Sequence, residues 1–159
     1  MAVQPTRRRL LAAVSSGVAL GLSGCLGTLV PDVDETSDAL VAELWIYDRG
    51  SDESEPVADT HHGHWHGSLP DVPRRSVVSL GAAFRDHDRE TIPIGADERY
   101  QLRVRGVDGG FETIAVDSRG DHVQIVGEEI GETELVFQLA ENGDTVWEAP
   151  PISIDVTRA

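Results

Sequence analysis

Two hydrophobic patterns divide the chain. The first is an uncharged stretch from Leu10 to Leu22, built of Leu, Ala, Val, Gly and Ser and 13 residues long. A helix of that length rises too little to cross a hydrocarbon core ~30 Å thick, so this stretch does not make a stable membrane span. From Leu40 onward the period changes to two. Ala42, Leu44 and Ile46 alternate with Glu43, Trp45 and Tyr47, which predicts a strand with one buried face. Val78, Leu80 and Ala82 share one face within 76–84, and 100–105 alternates from Tyr100 to Arg105. Further strands are expected over 114–117, 122–126, 132–139 and 152–156.

Turn chemistry separates these segments. Asp48-Arg49-Gly50-Ser51-Asp52, the charged run 85–89 and Val107-Asp108-Gly109-Gly110 each interrupt the alternation. Asn142-Gly143 is a hairpin signal, because both positions tolerate a left-handed backbone. No amphipathic stretch long enough for a three-turn helix occurs from Cys25 onward. Seven or eight short strands spaced about 8–12 residues apart predict an all-β fold, an antiparallel β-sandwich over 40–159.

The flanks of the first apolar run carry their own chemistry. Thr6-Arg7-Arg8-Arg9-Leu10-Leu11 precedes it, and Leu22-Ser23-Gly24-Cys25 ends it. A basic segment, a short apolar core and small residues behind are the parts of a signal peptide. The arginine segment, with Arg7 and Arg8, resembles a twin-arginine export signal. The Leu-Ser-Gly-Cys ending resembles the lipobox of prokaryotic lipoproteins. That resemblance implies cleavage before Cys25 and a covalent lipid on its thiol. Three segments follow: a signal peptide over 1–24, a lipid-anchored tether over 25–39, and the sandwich over 40–159. The expected location is the extracellular face of the cell membrane. An uncleaved anchor helix with Cys25 incidental is the competing reading.

Composition narrows the chemistry. Cys25 is the only cysteine, so the folded domain has no internal disulfide, no cysteine-based zinc site and no cysteine nucleophile. Lysine is absent, and all 28 acidic residues follow Cys25. Ten of the 13 arginines lie there too, which leaves a net charge of −18 beyond the signal. Such a field repels nucleic acid and anionic lipid and attracts cations. Acidity with arginine in place of lysine resembles the proteins of extreme halophiles and implies a haloarchaeal source. On that reading most carboxylates serve solubility.

The stretch 76–156 is similar in pattern to bacterial immunoglobulin-like domains. The likeness rests on Tyr100-Gln101-Leu102-Arg103-Val104, on the glycine-punctuated run from Asp121 to Leu139, and on the closing Pro151-Ile152-Ser153-Ile154-Asp155-Val156. It implies an immunoglobulin-like sandwich and no particular activity. The Cys…Trp…Cys core of antibody domains is missing.

One tract stands apart. Thr60-His61-His62-Gly63-His64-Trp65-His66-Gly67 holds four of the six histidines. In an extended chain His62, His64 and His66 project from one face, ~7 Å apart in succession, with His61 and Trp65 on the other. Gly63 and Gly67 permit curvature or a tight loop. Imidazoles so placed suit zinc first and copper(II) second. His122, beside Asp121, is the candidate ligand from elsewhere in the chain. Asp59, Asp71 or Asp121 is expected to fix an imidazole tautomer. His87, between Asp86 and Asp88, reads as a turn residue. A solvated loop with weak, unspecific metal affinity is the plainer alternative.

Catalytic signatures are absent: no Gly-x-Ser-x-Gly, no His-Glu-x-x-His and no phosphate loop occurs. The sequence reads as a non-enzymatic surface lipoprotein that binds a divalent transition metal. Its expected partners are the membrane, through the lipid, and a metal transporter or another surface protein. The alternative is a structural or adhesive immunoglobulin-like module.

Overall fold

The structure is a computed structural model that describes residues 40–52 and 54–159. The expected signal peptide with Arg7 and Arg8, the expected lipid-attachment residue Cys25 and the expected tether lie outside the described residues. Among the described residues there is no helix. Twelve strands follow in order: β1 (Glu43–Asp48), β2 (Ala58–His61), β3 (His64–Gly67), β4 (Val72–Pro73), β5 (Val77–Arg85), β6 (Thr91–Ile92), β7 (Tyr100–Gly106), β8 (Ile114–Ser118), β9 (His122–Gly127), β10 (Gly131–Glu141), β11 (Asp144–Glu148) and β12 (Ile152–Thr157).

They form two sheets. The seven-stranded sheet runs β3-β2-β1-β5-β9-β8, with β6 on the end of β5. Every pair in it is antiparallel. The five-stranded sheet runs β11-β10-β12-β4, with β7 on the other side of β10. It contains one parallel pair, β12 with β4, so the expected all-antiparallel sandwich is mixed at that edge. In that pair β4, a two-residue segment, runs in the same direction as the last strand.

Alternation builds the core. Leu44 and Ile46 of β1, Leu80 and Phe84 of β5, and Val123 and Ile125 of β9 are all fully buried. They meet Leu102 of β7, Leu135, Phe137 and Leu139 of β10, and Ile154 of β12 from the opposite sheet. Each such side chain contributes ~1.5–3 kcal/mol by leaving water. The Phe84 and Trp147 rings meet edge to face across the layers, 5.9 Å between centroids.

Strand β10 is the centre of its sheet and is covered on both faces. Val136, Gln138 and Ala140 point away from the core and are still buried. Arg105 and Glu148 close over them in a two-pronged ion pair, with both nitrogen–oxygen distances 3.0 Å. The Gln138 amide also donates to Glu148, at 2.6 Å. These contacts hold the Glu148 carboxyl below the usual carboxylate range, the Arg105 hydrogen bond being the largest cause.

The two sheets are tied at their corners. Arg75 N–H donates to Gly127 O in β9, and Arg74 N–H to Thr157 O in β12, at 2.7 and 2.8 Å. On the other side Leu102 N–H donates to Gly120 O at 2.7 Å. Gly120 sits at φ +96°, and a side chain there would strike the backbone of Gly95 and Ala96.

Seven expected strands are present as β1, β5, β7, β8, β9, β10 and β12. The turn at Asn142 (φ 52°) and Gly143 (φ 95°) joins β10 to β11 as its sequence predicts. Strands β2, β3, β4, β6 and β11 raise the number to twelve.

Candidate functional site

The histidine tract folds as a hairpin at one edge of the seven-stranded sheet. β2 and β3 pair antiparallel with His61 opposite His64, Thr60 opposite Trp65 and Asp59 opposite His66. Only His62 and Gly63 form the turn, at φ 50° and 75°. Two successive left-handed residues give a turn whose twist matches that of the paired strands. Gly67, at φ 81°, ends β3 where a Cβ would run into the Val57 carbonyl.

This turn changes which histidines share a face. Directly paired residues project to the same side, and so do residues two apart on a strand. His61, His64 and His66 therefore stand together on the outer face, with Asp59 beside His66. His62 leaves the strand and occupies the turn. The expectation that His62, His64 and His66 line one face of an extended chain, with His61 opposite, is corrected: reversal of the chain at 62–63 moves His61 to the side of His64. Trp65 and Thr60 point inward. The Trp65 ring lies 6.1 Å from that of Phe137, and its indole N–H donates to Pro150 O at 2.9 Å. That bond fastens the edge hairpin to the opposite sheet. Trp65 is thus an anchor beneath the hairpin.

Strand β1 supplies a group that local reading missed. Glu43 is the register partner of His61, and its Oε1 lies 3.4 Å from His61 Nδ1. The neighbouring His61 and His62 rings are 4.0 Å apart, edge to face. Farther along this face the Arg85 guanidinium stacks on Trp45, 3.7 Å from the ring centroid.

His122 stands elsewhere. It is on the same face, but β2, β1 and β5 lie between β9 and β3, which places it about four strand spacings, ~19 Å, from the hairpin's outer strand. The expected convergence of His122 with the tract does not occur. Its Nδ1 contacts Asp121 Oδ1 at 2.6 Å instead, and Arg49 approaches the other Asp121 oxygen at 3.6 Å. The His122 hydrogen bond is the main reason the Asp121 carboxyl is held below its ordinary range.

A cleft of about 770 Å³ opens at the end of the sheet beside the hairpin turn. His61, His62, Glu43, Asp86, His87 and Trp147 contribute to its walls. Asp86 organises the β5–β6 turn, its Oδ1 accepting from the Asp88 and Glu90 amides at 2.9 Å each. Among the described residues no three His, Cys, Asp or Glu side chains already converge on one point as a closed metal cage. Any ion bound here gathers its ligands by side-chain rotation. Counting strand parity through a two-residue His-Gly turn would have found the His61–His64 pair. Strand order alone brings Glu43 and His87 to the cleft.

No protein-family model matches the chain. No curated protein matches it either.

Proposed function

We propose that this is a lipid-anchored surface protein that binds a divalent transition metal, zinc first and copper(II) second, at its histidine hairpin. The observation that carries the reading is the cross-strand pairing of His61 with His64, with His66 next on the same exposed face. Paired positions have Cβ atoms ~5 Å apart, close enough for two imidazoles to reach one ion at bonds of ~2.0–2.1 Å. The Glu43 contact at His61 Nδ1 leaves Nε2 to face the ion. A net charge of −15 over the whole chain gathers cations around this face. The anchoring half rests on the sequence alone, on Leu22-Ser23-Gly24-Cys25 behind a short apolar run. A metal transporter or another surface protein is the partner that such a protein serves.

The test is calorimetric titration of the detergent-purified full-length protein with zinc. His61→Ala and His64→Ala should each weaken binding ~10-fold or more. Unchanged affinity in the double variant overturns the reading. Cys25→Ala should abolish metabolic lipid labelling, and retention of label overturns the anchor.

A second reading, a structural or adhesive surface module, draws on the sheet edges. β3 and β8 end the seven-stranded sheet without a further partner among the described residues, and open edges can add a strand from another chain. It predicts a concentration-dependent association that zinc does not alter.

A further inference from the structure

We propose that a second copy of this chain completes the metal site. The β3 strands of two copies pair antiparallel about Trp65, and the partner's His66 joins His61 and His64 on a shared ion. The inference rests on the metal reading above and names the partner that fills its ligand set.

Three observations carry it. First, one chain is short of ligands. Zinc takes four, and among the described residues no three His, Cys, Asp or Glu side chains converge on one point. The hairpin offers the cross-strand pair His61 and His64. Second, β3 is the last strand of its sheet, with β2 on one side and no strand on the other among the described residues. Third, the hydrogen-bond pattern of the hairpin fixes which backbone groups face that open edge. The Ser68 amide donates to Val57 O at 3.2 Å, which makes 57 and 68 a hydrogen-bonded pair. Bonded and non-bonded pairs alternate along an antiparallel ladder. Asp59–His66 and His61–His64 are therefore bonded pairs, and Thr60–Trp65 is not. The Trp65 N–H and C=O thus point away from β2, toward the open edge.

Two copies that meet at this edge, about a two-fold axis through Trp65, exchange both Trp65 N–H···O bonds. This register sets His64 directly opposite the partner's His66, and His66 opposite the partner's His64. Paired residues share a face, so the row Glu43, His61, His64 continues into the partner's His66 and the partner's Asp59. Neighbouring Cβ atoms in the row stand ~4.5–5.5 Å apart, within reach of imidazoles that meet at bonds of ~2.0–2.1 Å. The two-fold axis makes two such sites, each with three imidazoles and a fourth position for water. Trp65 lends only its backbone, and its ring stays inward against Phe137. Each copy carries a net charge of −15, which opposes association. Pairing of four-residue strands is too short to offset that repulsion, and the cations at the join supply the difference. Association therefore depends on the metal.

The experiment follows the detergent-purified full-length protein by sedimentation velocity, with zinc and with a chelator, and by zinc calorimetry. Zinc should double the protein mass of the sedimenting species, and the chelator should reverse the change. His66→Ala, and the double variant His61→Ala with His64→Ala, should each bind zinc ~10-fold or more weakly and stay monomeric. Mixed one to one, the two variants should recover parent affinity at one site per pair of chains. There His61 and His64 of the first meet the intact His66 of the second. An undisturbed melting curve without metal shows that each variant folds, and His66→Gln serves if His66→Ala does not. If the double variant loses zinc, the second-copy assignment is overturned by a zinc-loaded parent that stays monomeric, by a dimer that zinc does not alter, or by a mixture that recovers nothing. Each of those results leaves the hairpin reading standing. Unchanged affinity in the double variant overturns both.

Discussion

Removing Trp65 tests whether the histidine hairpin is held by the opposite sheet. Trp65 faces inward from an edge strand and is half-buried. It makes two kinds of contact: the tilted approach to Phe137 and the indole hydrogen bond to Pro150 O. Trp65→Phe keeps most of the ring and deletes the bond, which costs ~1 kcal/mol. Trp65→Ala also loses the packed area. If about 100 Å² of a large aromatic surface is buried, that term is ~2.5 kcal/mol, and the sum reaches ~3–4 kcal/mol, within the usual range for deleting a packed tryptophan. For a domain of about 120 residues, 1 kcal/mol corresponds to a melting shift of ~4 °C. Calorimetric melting should therefore fall by ~4 °C in the phenylalanine variant and ~12–16 °C in the alanine variant. Amide exchange gives the local view: protection of Thr60 and Trp65 should collapse in Trp65→Ala before that of Leu80 or Phe137. Zinc affinity should fall with it, because the His61–His64 pair exists only while β2 and β3 hold register. An alanine variant within ~1 kcal/mol of the parent, with hairpin protection intact, would refute the anchoring role.

Three further outcomes follow from the same geometry. His122→Ala should leave zinc affinity within twofold of the parent by calorimetry, since three strands separate it from the hairpin's outer strand. Gly120→Ala places a side chain at φ +96° against the backbone of Gly95 and Ala96 and should cost ~2–3 kcal/mol, read as a lower denaturant midpoint. The third concerns acid. Glu148 is held below its ordinary carboxylate range in the fold, so its contribution is present above the unfolded value and is lost as pH falls through the folded one. Arg105→Met should remove that part of the acid sensitivity below about pH 4; the pair is partly exposed, so the effect at neutral pH is ~1 kcal/mol or less. Urea titrations at pH 3 and pH 7 measure it, and equal losses at both values would contradict the assignment.

How much of this was legible in the sequence depends on length and locality. β1, β5, β7, β9, β10 and β12 have six or more residues, enough to display a period of two. β4 and β6 have two residues each and cannot show a period. The hairpin strands have four, and in β3 both alternate outward positions are histidine while the inward one is tryptophan. That pattern reads as ligand chemistry before it reads as a strand. Asn142-Gly143 announced its turn because asparagine and glycine both accept positive φ cheaply. His62-Gly63 adopts the same kind of turn with a residue less often found there, so the tract passed for one extended run. The error was small in length and large in consequence. Two residues placed in a turn rather than on a strand decide that His61 joins His64 and His66, and that His62 meets the cleft instead. The identities of the histidines are local information. The placing of Glu43 and His87 in one cleft with them is not: these residues reach the same end of the sheet only because β1 lies between β2 and β5.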